Sequence, residues 1–396
     1  MAVYSAVLTA KATGAISTIG VYGTSAAAIL QKIFTSKAHR HVEFKPGRIA
    51  LGVVADGKHL IDQVTVGCEG PGFFAIHCHG NPLIVEMIMG LLGRAGARAV
   101  SAEELLRMAL AEAPTCRRNA IELEAKVAQL NAATLEGTKM LANQAGPGLY
   151  AAARAWLARL GKEDLDRVRA EAARILRNSE AARSVIYGCK MVLTGPPNSG
   201  KSTLLNRLAG REKAIVAEIA GTTRDWVSAE CRIGPLAARV TDTAGLDGRT
   251  GEHLGGPADK AARDTAVQIL AEADLVLLVL DGAQGAEQID RELIDKLKGT
   301  RSVTVLNKSD LPLRLDTARL PEDLGDFVQI SAKFGTGIAD LKERIIEALG
   351  AADLDLARPV AFTRRQEQLL EELAAATGED HARRLIQRLL NGPLTE

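Results

Sequence analysis

An excess of charge of one sign is what this sequence most plainly lacks: 49 lysines and arginines stand against 48 aspartates and glutamates, a formal net charge of +1 at pH 7. That balance removes the global electrostatic case for nucleic-acid binding and leaves only a local basic patch as a route to it. Long apolar runs are missing as well. The longest, such as Leu275 to Leu280, fall far below the roughly 18 residues that span a bilayer, so no membrane segment is expected. Met1-Ala2-Val3-Tyr4-Ser5 shows no cationic region followed by an apolar one, which argues against export. Cysteine is scarce and unpatterned. Cys68, Cys78, Cys116, Cys189 and Cys231 are odd in number and form no Cys-x-x-Cys pair, a usage that fits reduced thiols in a cytoplasm. What is present is ordinary globular material, 47% hydrophobic and 24% charged over 396 residues. That length is too great for one ordinary core, and two or three domains are expected.

The stretch that organises the chain is Gly195-Pro196-Pro197-Asn198-Ser199-Gly200-Lys201-Ser202, which follows the apolar run Met191-Val192-Leu193 and opens the helical pattern Thr203-Leu204-Leu205-Asn206-Arg207-Leu208. Strand, glycine-rich loop and helix in that order form a phosphate loop. Its backbone N–H groups, those of Asn198 to Thr203 included, wrap an oligophosphate at a helix N-terminus, Lys201 reaches the β and γ oxygens, and Ser202 ligates Mg²⁺. Asp242-Thr243-Ala244-Gly245 ends a later apolar strand, so Asp242 is expected to hold Mg²⁺ through water while the Gly245 N–H meets the γ-phosphate. Asn307-Lys308-Ser309-Asp310 follows Val303 to Leu306 and reads the base: Asp310 accepts from guanine N1–H and N2–H₂, which adenine cannot offer. Leaving that carboxylate unpaired costs about 1–3 kcal/mol or more, so the site prefers GTP to ATP. Ser331-Ala332-Lys333, after Val328 to Ile330, supplies a backbone N–H for guanine O6. Gly221-Thr222-Thr223-Arg224-Asp225 lies where a switch threonine closes on Mg²⁺, and Thr223 is favoured over Thr222 for that role.

Three kinds of domain are expected. Residues 1–100 alternate short strands (Ala15 to Tyr22, Ile49 to Val54, Gln63 to Val66, Phe73 to Ile76) with helices at Ala26 to Phe34 and Leu83 to Leu92, an α+β domain. His77-Cys78-His79 invites a metal reading, but strand geometry puts Cys78 on the face opposite the two histidines. Residues 101–185 open on the capping-box spacing Ser101-Ala102-Glu103-Glu104 and continue as an all-α region broken at Gly146-Pro147-Gly148. Residues 186–350 alternate strands and helices, with a hairpin over Val227 to Ile233 and Ala237 to Asp242 flanking Gly234-Pro235. This predicts a Ras-like α/β P-loop GTPase domain with a mostly parallel sheet. Residues 351–396 are helical again, over Gln366 to Ala375 and Ala382 to Leu390. One helical domain with the GTPase domain inserted in its chain is the simplest reading.

In this order of domains the chain resembles the TrmE or MnmE family of tRNA-modification GTPases over nearly its whole length. The most specific matches are Gly221-Thr222-Thr223-Arg224-Asp225, the asparagine of the phosphate loop, and Ile76-His77-Cys78-His79-Gly80. The resemblance implies a cytoplasmic homodimer formed through the N-terminal domain, which works on tRNA wobble uridines with a partner protein. It also implies hydrolysis driven by K⁺, held by Asn198 and by carbonyls around Ile219 to Gly221, as two G domains meet face to face. A cation placed where an arginine finger would sit offsets developing charge, and such fingers are worth roughly 10³ or more in rate. The family's water-orienting glutamate is matched best by Glu252 in Glu252-His253-Leu254-Gly255.

Departures from the family concern the tRNA chemistry. Leu390 stands where a terminal Cys-x-Gly-Lys motif has its cysteine, and a leucine is neither nucleophile nor proton donor. The resemblance implies formyl-tetrahydrofolate in the N-terminal domain, yet Gly20 replaces an expected arginine and Ala75 an expected acidic residue. The Leu-Asn-Gly-Lys stretch that opens the family's helical domain is not recognisable around Met108 to Ala120. An alternative therefore stands beside tRNA modification: a regulatory or assembly GTPase paralogue without modifying chemistry.

Overall fold

Seven strands form in the N-terminal part of the chain: β1 (Val3–Val7), β2 (Ile16–Tyr22), β3 (Phe34–Ser36), β4 (Ile49–Asp56), β5 (His59–Gly70), β6 (Phe73–His79) and β7 (Ala97–Ala99), with helices α1 (Ala26–Ile33) and α2 (Pro82–Arg94) among them. Helices α3 (Ala102–Ala111), α4 (Ala120–Ala128), α5 (Leu135–Gln144), α6 (Leu149–Arg159) and α7 (Leu165–Tyr187) follow. Then come β8 (Cys189–Thr194), α8 (Lys201–Ala209), the hairpin β9 (Val227–Ile233) and β10 (Leu236–Asp242), β11 (Leu275–Asp281), β12 (Ser302–Asn307) and β13 (Phe327–Gln329). The last three helices are α9 (Ile338–Ala348), α10 (Arg364–Ala374) and α11 (Glu379–Asn391). The computed structural model describes residues 2–9, 14–36, 44–111, 119–161, 165–210, 227–242, 269–288, 294–295, 297–317, 324 and 327–392. They fall into two units, one of Met1–Leu130, Gln144–Asp166 and Ala375–Glu396, the other of Asn131–Asn143 and Arg167–Ala374.

The first unit is built on a sheet of order β3-β4-β5-β6-β2-β1-β7, antiparallel except where β1 meets β7. Ile19, Val21, Val64, Val66, Phe74 and Ile76 face Ile29, Leu30 and Ile33 of α1 and Ile88, Leu91 and Leu92 of α2 in one core. Asn81 caps α2 by accepting from Leu83 N at 2.9 Å, and Pro82 sits at its first position, where a missing N–H costs nothing. On the other face of the sheet, Leu105 of α3 packs with Ala6, Leu8 and Tyr22 in a smaller second core. The expected strand at Gln63 to Val66 is the centre of the 12-residue β5, whose ladder runs on through residues that do not alternate, because backbone pairing needs no apolar side chain. The strands β3 and β7 are three residues each, too short for alternation to announce them. His77 Nδ1 lies 3.0 Å from Thr18 Oγ1 and His79 Nδ1 lies 2.7 Å from Asp62 Oδ1, so the two histidines serve separate partners, and Cys78 is buried. α11 packs on α6 and α4, with Leu385, Ile386, Leu389 and Leu390 buried.

The second unit carries a sheet of order β13-β12-β11-β8-β10-β9, parallel except for the β9–β10 hairpin. Its central strand Leu275–Asp281 is buried throughout, as a strand covered on both faces must be. Alternate residues serve opposite cores. Leu193, Leu277, Val279 and Val305 pack with Leu204, Leu205, Leu341 and Ile345 of α8 and α9, while Val192, Val276, Leu278, Leu280 and Leu306 face Leu270, Ile294 and Leu297. Around the sheet, Thr134 Oγ1 donates to Val185 O at 2.7 Å, Tyr187 Oη to Phe362 O at 2.8 Å and Ala361 N to Ser179 Oγ at 2.7 Å. Burial pushes the Cys189 thiol up to about 12 and the Cys231 thiol up to about 11, which keeps both protonated and unreactive. Among the described residues no helix is long and apolar enough to cross a membrane.

Candidate nucleotide-binding site

The site assembles at the carboxyl ends of β8, β10, β11 and β12, where loops of an open parallel sheet leave a crevice. β8 ends at Thr194 and the chain turns sharply into α8 through Gly195 (φ +136°) and Gly200 (φ +95°). Glycine is required at both positions. A Cβ at 195 would lie 2.1 Å from Val279 O, and one at 200 would lie 2.2 Å from Asn307 Nδ2. Lys201 is 4% exposed and its Nζ donates to Gly195 O at 2.7 Å and Pro196 O at 2.9 Å. The ammonium is thereby held inside the curl of the loop at the N-terminus of α8, where free N–H groups and the helix dipole favour an anion. Ser202 Oγ donates to Asp242 Oδ2 at 2.6 Å, so the hydroxyl and the carboxylate expected around Mg²⁺ are in contact although 40 residues separate them. Asn198 is exposed with a left-handed backbone, φ +62°, a conformation that asparagine enters more readily than most residues. Ser199 contributes backbone: its carbonyl accepts from Asn307 Nδ2 at 2.8 Å, while its buried Oγ has no partner among the described residues.

The base end is tied to the phosphate end by Asn307. Its Nδ2 holds the phosphate loop, and its Oδ1 accepts from Ala332 N at 2.9 Å. Ser331 Oγ donates to Asp310 Oδ1 at 2.6 Å, which fixes the carboxylate that would read guanine. Lys308, also left-handed at φ +66°, reaches Asp281 Oδ2 at 2.7 Å. Sequence reading passed over Asp281. The signal was there, since Asp281 ends the apolar run Leu275–Leu280 just before Gly282 and pairs in register with Asn307. Arg207 was passed over too, and it donates through Nε to Ala332 O at 2.9 Å and through Nη2 to Lys333 O.

Hydrogen bonds thus tie Ser199, Lys201, Ser202, Asp242, Asn307, Lys308, Asp310, Ser331, Ala332 and Lys333 into the phosphate loop, the strand ends and the base loop, with Asn198, Gly200 and Thr203 beside Lys201 in the chain. Ile219, Gly221, Thr222, Thr223, Gly245 and Glu252 lie outside the described residues. Of the backbone amides of Ser331-Ala332-Lys333, that of Ala332 donates to Asn307 Oδ1 in this structure.

A family model described as "50S ribosome-binding GTPase" matches residues 190–308. Over 407 residues the chain is 31% identical to the tRNA modification GTPase MnmE of Lactococcus lactis subsp. lactis strain IL1403, covering 93% of this chain and 87% of that protein. The MnmE protein of Thermotoga petrophila is 27% identical over 398 residues, with 93% and 87% covered. Among solved structures, the G domain of the FeoB iron transporter of T. maritima is 30% identical and covers 40% of this chain and 98% of its own, with a TM-score of 0.33.

Proposed function

Because the chain belongs to the MnmE family of tRNA modification GTPases, we propose that it couples hydrolysis of Mg²⁺-bound GTP, stimulated by K⁺ and by pairing of two G domains, to modification of tRNA wobble uridines. The observation that carries the guanine reading is the junction at Asn307, which joins the phosphate loop at Ser199 O to the base loop at Ala332 N. Asp310, braced by Ser331, accepts the two guanine donors, and Lys201 exchanges its loop carbonyls for phosphate oxygens when nucleotide enters. Mg²⁺ fits the residues present: Ser202 and Asp242 already meet, and Thr223 completes the set in this reading. The metal supplies neutralisation of charge on the transferred phosphoryl group. Glu252 orients the attacking water, Gly245 donates to the γ-phosphate, and turnover takes place in the cytoplasm.

K⁺ is assigned to Asn198 with the carbonyls of Ile219 to Gly221. The left-handed backbone at 198 gives asparagine a second, purely conformational reason to be there, and the experiment separates the two. GTP turnover is expected to rise when K⁺ replaces Na⁺, and Asn198→Gly, which keeps the backbone and removes the carboxamide, is expected to abolish that rise. Equal rates in both salts, or full stimulation in the glycine variant, would remove the K⁺ site. Calorimetry showing no preference for GTP over ATP would remove the nucleotide reading itself.

The residues present do not fit formyl-tetrahydrofolate. Gly20 and Ala75 are register partners on β2 and β6, and a Cβ at 20 would lie 2.5 Å from Leu105 Cδ2 and 3.1 Å from Leu8 Cδ1. Apolar side chains fill the place where a cation would stand. Together with Leu390, which is 4% exposed, this favours the second reading, a regulatory or assembly GTPase without modifying chemistry. Mass spectrometry of wobble uridines in a deletion strain decides between them: lost modification supports the first reading, unchanged tRNA the second.

A further inference from the structure

The base loop is held from both sides, and the two grips point one amide outward. On one side Asn307 Oδ1 accepts from Ala332 N at 2.9 Å. On the other, Arg207 Nε donates to Ala332 O at 2.9 Å and Arg207 Nη2 to Lys333 O. Arg207 belongs to α8, the helix whose first residue is Lys201, and it stands on the exposed side while Leu204, Leu205 and Leu208 are buried. No peptide bond among the described residues is cis. In a trans peptide the C=O and the following N–H point in opposite directions. With Ala332 O drawn to the guanidinium, the Lys333 N–H faces away from it. With Lys333 O drawn to it as well, the Phe334 N–H also faces away, and that amide donates to Ser331 Oγ at 3.3 Å, the hydroxyl that braces Asp310. Two amides, at 332 and 334, are thus spent inside the protein. Among the described residues the one between them, at Lys333, is given no acceptor.

Building on the reading of this loop as the guanine loop, we infer that Arg207 is a positioning residue for base recognition: by holding the carbonyls of Ala332 and Lys333 it aims the Lys333 N–H at guanine O6. A cation on a peptide oxygen also polarises that peptide and strengthens its N–H as a donor. Gly335, at φ +85°, lies beside the guanidinium: a Cβ there would sit in ordinary contact, 3.5 Å from Arg207 Nη1. The same arginine makes the phosphate-binding helix and the base loop one rigid piece, so the distance between the two ends of the nucleotide is set before it binds.

The test is a cycle of two nucleotides and two proteins. 6-Thio-GTP keeps the N1–H and N2 amino donors that Asp310 reads but puts a weakly accepting sulfur at position 6. Arg207→Ala is expected to weaken GTP binding about five- to tenfold, the worth of one charge-assisted hydrogen bond partly screened by solvent, and to weaken 6-thio-GTP by less than about twofold on the same reasoning. KM for GTP should rise in step while turnover at saturation holds. Arg207→Lys, which reaches one carbonyl, should fall between, and Arg207→Gln supplies the same comparison if the alanine variant does not fold. Equal losses for both nucleotides would mean that Arg207 only supports the loop, and no loss would mean that it does nothing for the base; either overturns the inference. A wild-type protein that binds ATP as well as GTP would instead sink the guanine reading, and the inference with it.

Discussion

Asp310 shows how much one carboxylate decides. It is braced by Ser331 Oγ at 2.6 Å, which fixes the orientation in which, on the proposed reading, it would meet a purine. Replacing it by asparagine turns one acceptor into a donor, which suits the O2 of xanthine better than the N2 amino group of guanine. Asp310→Asn is expected to reverse the preference of the protein from GTP to XTP by tenfold or more, on the order of two hydrogen bonds exchanged; competition against a fluorescent guanine nucleotide measures it, and retained GTP preference would remove Asp310 from the site. Asp310, Lys201 and Asp242 were legible in the sequence because each sits at fixed spacing in a short segment whose chemistry is local. Arg207 was not, because its partner Ala332 is distant in the chain and no spacing records it; Asp281 was marked by the apolar run it ends, but not its partner Lys308.

Packing of a helix on a sheet tells a different story. α3 was expected from its capping-box spacing, and Ser101 Oγ accepts from Glu104 N at 3.1 Å. What the spacing could not show is where the helix lands. It lies over β1 and β2, and Leu105, fully buried, occupies the space above Gly20. Putting an arginine back at position 20 forces a side chain into that contact. Gly20→Arg is expected to destabilise the protein by about 1–3 kcal/mol, as overpacking does, and to create no affinity for formyl-tetrahydrofolate; adding Leu105→Ala should recover part of the loss. Urea unfolding of the two variants checks this, and a single variant as stable as the wild type would show that the helix does not close that face.

For the molecule as a whole, dimerisation is the open property that its N-terminal surface addresses. Ile49 and Leu51 on β4 are 71% and 50% exposed, side by side on one face of the strand by alternation, with Ile16 and Leu60 also exposed on the same sheet. Exposed apolar side chains gathered on one strand are candidates for an interaction site. A homodimer at micromolar concentration is expected for the wild type, and a monomer for Ile49→Lys/Leu51→Lys; sedimentation velocity distinguishes them, and a monomeric wild type would remove the N-terminal dimer from the proposal.

Fixed spacing alone determined that this chain winds its backbone round a triphosphate. The loop from Gly195 to Ser202 and the segments at Asp242, Asn307 and Ser331 are each short enough for their chemistry to be written in neighbouring residues. Only the tertiary structure decided which amide of the base loop is spent on Asn307, which cation holds the carbonyls behind it, and that a leucine from α3 fills the place opposite Ala75. Those contacts join residues that the chain keeps far apart, and burial together with the direction of a peptide plane, neither of which a sequence pattern encodes, selects among them.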